Sequence, residues 1–148
     1  MLKRFLLYGC GGWLLEVGFT GLSAAIVQKD RSATARTYLW MHPIYGAAGL
    51  ILEAMAKRLR RVSPPVRAAL YLPVIYAAEY STGWLLCRLL GKCPWDYTGH
   101  GINLKGFIRL DYAPFWYAAA LAFEPAAKQV NAIANPPRFP WSRPALGR

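Results

Sequence analysis

The sequence predicts an all-α protein, a polytopic transmembrane helix bundle with about four spans. Three observations predict it. Of 148 residues, 55% are hydrophobic and 14% aromatic, too apolar for an ordinary water-soluble domain. The apolar residues gather into stretches at 5–27, 38–56, 68–90 and 107–127. Each is close to the roughly 20 residues a helix needs to cross about 30 Å of hydrocarbon. Most of the 18 Lys and Arg fall between these stretches, and the chain holds only 7 carboxylates, which is how membrane spans are punctuated. Unbroken runs such as Leu50, Ile51 and Leu52, or Ala118 to Ala122, exclude the alternating strands of an outer-membrane barrel.

The first stretch follows Lys3 and Arg4 and imitates a secretory leader, with Ser23, Ala24 and Ala25 as cleavage residues. Glu16 and several glycines interrupt it, and it exceeds the usual leader core of about 7 to 15 residues, so a retained span is expected. The second stretch ends on Lys57, Arg58, Arg60 and Arg61. These cations suit contact with anionic lipid headgroups, each gaining about 1 kcal/mol at the surface. A basic turn containing Pro64 and Pro65 leads to the third stretch, a glycine-rich loop at 91–106 follows, and the fourth stretch comes last. Residues 1–128 are thus read as the transmembrane domain and 129–148, rich in Pro and Arg, as a flexible tail. Pro43, Pro73 and Pro114 are expected to kink their spans.

Basic residues also predict orientation, because Lys and Arg near span ends stay in the cytoplasm. Eleven lie at the termini and in the 57–67 turn, against seven on the opposite side, in the other two loops and at the span ends beside them, so both termini are expected on the cytoplasmic side of the cell (inner) membrane.

Carboxylates inside apolar stretches point to function, since a charge at bilayer centre costs about 2.5 kcal/mol or more unless neutralised, solvated or paired. Glu16 and Glu79 sit near the middle of the first and third stretches, with no Lys or Arg at similar depth. They are expected to line one polar cavity, protonated or facing Tyr45, Tyr76, Tyr80, Ser81 and Thr82. Glu53 and Glu124 lie near span ends, where pairing with Lys57 and Lys128 at helical spacing accounts for them. Arg88, Arg109, Asp111 and His42 could form a polar cluster at the opposite interface. In the loop, Trp95 and Tyr97 suit the headgroup level, while Asp96 and Asn103 suit a tight turn, so a folded cap or partly re-entrant loop is expected. The candidate functional cluster is therefore Glu16, Tyr45, Glu79, Thr82, Trp95, Asp96, Asn103 and Arg109.

An ordered series of residues carries a family resemblance: E-Y-S-T-G from Glu79 to Gly83, Gly91, W-D-Y from Trp95 to Tyr97, Asn103, Gly106, and I-R-L from Ile108 to Leu110. Tyr8, Gly9, Trp13 and Glu16 agree with it, as does P-I-Y-G from Pro43 to Gly46. Over roughly residues 5–125 the chain resembles the CmpB-like type IV ABC-transporter family, close to its uncharacterised four-span vertebrate-like branch. Many bacterial members have a longer glycine-rich lead and a glutamate where this chain has Cys87. The resemblance implies a small multi-pass membrane protein and a component of transport.

Other classes find less support. No G-x-x-x-x-G-K-[ST] loop is present, so an ATP-driven role would need a separate nucleotide-binding subunit. His42 and His100 lack metal-site spacing, no recognised catalytic motif occurs, and no metal or cofactor is expected. The net charge of +11 is spread over loops, which argues against nucleic acid. Cys10, Cys87 and Cys93 form no C-x-x-C pair and are expected to serve packing. Four spans leave little room for a path in a monomer, so a homo-oligomer is expected. Three classes stay open: a transporter-like component, an intramembrane enzyme or binder for a lipid headgroup, and a scaffold or assembly factor.

Overall fold

The computed structural model describes residues 1–136. In chain order they form α1 (Leu2–Ile26), α2 (Met41–Arg58), α3 (Pro64–Leu90), a hairpin of β1 (Asn103–Leu104) and β2 (Ile108–Arg109), a 3-10 turn at Leu110–Tyr112, and α4 (Ala113–Ala134). The expected all-helical character holds apart from that hairpin, in which Asn103 pairs with Arg109 and Leu104 with Ile108. Among the described residues, α1 is the one helix both long and apolar enough to cross a membrane by length and composition.

Each helix packs mainly on its neighbour in sequence, α1 on α2 and α3 on α4, and the two pairs meet more sparsely. Glycine explains the closeness of the first pair. The Phe5 ring lies over Gly46 and the Tyr8 ring over Gly49, while His42 lies over Gly9 and Tyr45 over Gly12. Each helix thus offers two rings to two glycines of the other, a reciprocal arrangement. Nearer the end bearing the 59–63 turn, Leu52, Ala68, Tyr71 and Ala120 form the buried core. Around it, large apolar side chains remain exposed on every helix, including Leu14 (74%), Ile51 (50%), Leu89 (70%) and Ile133 (64%).

Several boundaries differ from expectation. The fourth helix begins at Ala113, not at 107, because the φ of +74° at Gly106 turns the chain into the hairpin. It then runs to Ala134, where the polar tail was expected to have begun; the remainder of that tail, 137–148, lies outside the described residues. Asn131 is compatible with helix because its amide bonds back to the Ala127 carbonyl at 2.8 Å. Polarity here marks a change of surroundings, not the end of the helix. Pro64 begins α3 instead of belonging to a loop, since the missing N–H and fixed φ suit a first turn. Pro43 and Pro114 occupy first turns for the same reason, so neither can kink its helix; the internal prolines are Pro73 and Pro125.

Cys87 and Cys93 form a disulfide, correcting the expectation that they serve packing. Gly91, with φ +68°, ends α3 in the left-handed conformation and returns the chain so that Cys93 meets Cys87. Cys10 stays free. Without reductant the unfolded protein is expected to titrate as one thiol and after reduction as three, by mass spectrometry of alkylated chains. Replacing both half-cystines by Ser is expected to cost about 2 kcal/mol of unfolding free energy, the chain-entropy value for so short a loop.

Candidate functional site

A cavity of about 450 Å³ lies between the α1/α2 and α3/α4 pairs. All four helices and the loop after α3 contribute to its walls, which are mostly aromatic and aliphatic. Glu16 and Glu79 both line it, and among the described residues no Lys, Arg or His does. The expectation of one shared cavity therefore matches the geometry, but the cavity is largely apolar where a polar interior was anticipated.

Each glutamate is reached from a connecting segment. Glu16 accepts a hydrogen bond from the Thr37 hydroxyl at 2.7 Å and another from Tyr45 at 3.3 Å. Thr37 arrives there because the 27–40 segment folds back along α1: the Thr20 hydroxyl donates to the Arg36 carbonyl, and the Trp13 indole donates to the Tyr38 carbonyl, both at 3.0 Å. Glu79 accepts a bond from Tyr97 at 3.2 Å through Oε1. Burial pushes the Tyr97 phenol well above its ordinary range, and the neighbouring Glu79 adds to this, so Tyr97 stays protonated as the donor. The side chains expected to supply polarity mostly turn elsewhere. Ser81 and Thr82 donate to the Ala78 carbonyl of their own helix, Tyr76 donates to the Leu110 carbonyl, and Tyr80 stacks edge-on against Phe107.

Of the candidate cluster, Glu16, Tyr45, Glu79, Thr82 and Trp95 share the cavity wall. Trp95 packs on Gly83 and donates to the Phe107 carbonyl at 3.1 Å, pinning the loop to α3. Asp96, Asn103 and Arg109 do not line the cavity; they build the loop. Asp96 accepts from the Thr98 amide, and the Thr98 hydroxyl and amide hold its carboxyl below the usual carboxylate range. Asn103 accepts from the Gly106 amide at 3.1 Å across the hairpin turn. Arg109 pairs with Asp111 and donates to Tyr112, and the guanidinium keeps the Asp111 carboxyl low. The outer polar cluster expected of Arg88, Arg109, Asp111 and His42 is only partly assembled: Arg88 stacks on Trp84, and His42 packs beside Phe5 and Trp13.

At the opposite end, Glu53 is buried and bonded by Arg4 at 2.5 Å, Lys57 at 2.6 Å and Tyr8 at 3.0 Å, so Lys57 is one of three partners. Glu124 pairs with Arg67 through two bonds and with Tyr71 at 2.8 Å, not with Lys128 as helical spacing suggested. A long-range bidentate guanidinium outcompetes the flexible ammonium on the same helix. Arg58, Arg60 and Arg61 are exposed, as is Lys57 beyond its bond to Glu53.

Tyr71, Thr37 and Trp116 belong to these arrangements without having stood out in the sequence, while Tyr8 and Tyr97 had stood out only in the family series and as an interface aromatic, not as partners of a glutamate. One signal could have found three of them. An aromatic residue precedes a glutamate by eight positions in every helix: Tyr8 and Glu16, Tyr45 and Glu53, Tyr71 and Glu79, Trp116 and Glu124. Eight residues are about 12 Å of helix, so an antiparallel neighbour with the same spacing can exchange partners.

Four helices in two pairs, enclosing a carboxylate-bearing aromatic cavity capped by a folded loop, define the class: a small helical bundle with an interhelical cavity. The family described as putative ABC-transporter type IV, CmpB, matches residues 4–137, and the chain belongs to that family. No solved structure matches it. Membership makes the chain ABC-transporter-related, and together with the span-like α1 it points to a membrane protein.

Proposed function

We propose that this chain is a four-span protein of the cell (inner) membrane that admits a small solute to the cavity between its helix pairs, as a transport component, with Glu16 and Glu79 as contact residues. The single observation carrying this is that the two carboxylates placed in apolar helices open onto one cavity. A carboxylate retained in such surroundings is costly, and solute or proton handling is the usual reason for it.

The surroundings support the bilayer part of the reading. All four helices present large apolar side chains outward, while Arg4, Glu53, Lys57, Arg67 and Glu124 are tucked into pairs at one end. Arg4, Glu53, Lys57, Arg67, Glu124 and Asn131 gather at that end, so both helix termini of the described chain lie together there. The disulfide lies at the other end of α3, in keeping with an oxidising outer compartment and cytoplasmic termini. Lys57, Arg58, Arg60 and Arg61 then face anionic headgroups. A homo-oligomer, and a separate nucleotide-binding subunit for any ATP-driven step, complete the proposal. The lipid-headgroup alternative draws less support, since Asp96, Asn103 and Arg109 are engaged in folding the loop.

Single cysteines at Ala78 and Ala119, in a Cys10→Ser background, test the reading because both positions line the cavity. In sealed cells they are expected to react with a small membrane-impermeant thiol reagent, whereas a cysteine at lipid-facing Leu14 is not. Equal protection of all three positions would refute an aqueous route into the cavity.

A further inference from the structure

The aromatic-glutamate spacing is used as an exchange. In the first helix pair, Tyr8 of α1 bonds Glu53 of α2 at 3.0 Å, and Tyr45 of α2 bonds Glu16 of α1 at 3.3 Å. The same reciprocity sets Phe5 on Gly46 and His42 on Gly9. In the second pair, Tyr71 of α3 bonds Glu124 of α4 at 2.8 Å. The relation leaves Trp116 and Glu79 as the fourth set. Trp116 Nε1 and Glu79 Oε2 are the buried side-chain polar atoms without a hydrogen-bond partner among the described residues. Both residues line the cavity.

We propose that this open fourth set is the recognition point of the cavity, and that its ligand is an amphipathic amine: a protonated amine on an apolar body, with a hydroxyl or carbonyl oxygen beside it. The inference rests on the cavity function proposed above and names its ligand class. An orphaned buried donor or acceptor is costly, and a ligand carrying the complementary groups recovers that cost on binding. Tyr97 occupies Oε1 of Glu79, leaving Oε2 to accept from an ammonium N–H, and the Trp116 indole N–H can donate to the neighbouring oxygen. The charge balance of the wall selects the sign: among the described residues it holds the carboxyls of Glu16 and Glu79 and no basic side chain. Rings of Tyr45, Trp95, Phe115 and Trp116 add faces on which a cation is favoured and an apolar body is buried. A volume of about 450 Å³ suits a ligand of this kind. The chemistry is shared by water-soluble aryl amino alcohols and by long-chain amino-alcohol lipids.

The test uses the full chain in phosphatidylcholine nanodiscs and three probes of one skeleton: 2-amino-1-phenylethanol, 1-phenyl-1,2-ethanediol and mandelate, carrying an ammonium, a hydroxyl and a carboxylate in turn. Calorimetry is expected to show the amine binding at least tenfold more tightly than the diol, with no binding of mandelate. Glu79→Gln should weaken the amine at least tenfold, and Trp116→Phe several-fold, with little effect on the weak diol. Equal affinity for amine and diol, or preference for mandelate, overturns the proposal, and the wild-type comparison decides this even where a variant fails to fold. A second arm dopes sphingosine into the discs: displacement of the aryl amine assigns the site to a lipid-borne amine, and its failure assigns the site to a water-soluble one. If the thiol reagent reaches Ala78→Cys and Ala119→Cys but the amine preference is absent, the ligand class fails while the cavity function stands.

Discussion

Valine at Gly12 or Gly49 is expected to drive α1 and α2 apart and to cost about 3 kcal/mol of stability, the upper part of the overpacking range. A Cβ at Gly12 would overlap the Tyr45 ring, and one at Gly49 would overlap the Tyr8 ring. Neither ring can swing away freely, because Tyr45 is bonded to Glu16 and Tyr8 to the buried Glu53. Relief must come from separating the helices, which breaks these bonds and takes a donor from Glu16 or Glu53. Gly11 and Gly18 are the controls. Nothing lies within 4 Å of a Cβ built there, so valine at either is expected to shift stability by no more than about 0.5 kcal/mol. Thermal unfolding in detergent micelles checks all four variants, and equal losses across them would show that the ring-on-glycine interlock is not the cause.

The second large effect is expected at the junction of α3 and α4. Arg67→Met should cost about 3 kcal/mol, because Glu124 would lose a bidentate partner in a site where the two side chains are only 11% and 24% exposed. Tyr71 would remain to donate a single bond to the uncompensated carboxylate. Arg67 also donates to the Val62 carbonyl, so the turn between α2 and α3 should loosen in the same variant. Removing both charges, in Arg67→Met with Glu124→Met, is expected to recover most of the loss, since an apolar pair needs no desolvation. Denaturant unfolding of the single and double variants gives the coupling. A double variant no more stable than Arg67→Met would mean that the ion pair is not what Arg67 contributes.

How far the sequence could be read is clearest at Glu16 and Glu79. A carboxylate inside an apolar run is visible without coordinates, because the anomaly lies in local composition. Thr37 and Tyr97, which satisfy those carboxylates, were not visible as partners: they stand 21 and 18 residues away, on segments whose folding back into the bundle no local pattern announces. The loop after α3 divides in the same way. Its Gly, Asn and Asp content marked it as structured, yet the disulfide closing its start depends on how Gly91 turns the chain, and a spacing of six residues does not declare that. Asp96, Asn103 and Arg109 were grouped with the cavity residues on chemistry alone, and the structure commits them to hydrogen bonds within the loop.

By itself the amino-acid order determined that the chain would make four apolar helices, where they would be interrupted by charge, and which carboxylates would be hard to accommodate, because each depends on neighbours within a few turns. Only the tertiary structure decided which aromatic meets which glutamate, that ring and glycine interlock reciprocally across α1 and α2, and that one such set, on residues lining the cavity, stays unbonded among the described residues. Antiparallel packing brings together residues tens of positions apart, and a hydrogen bond between them is made or missed over about an ångström.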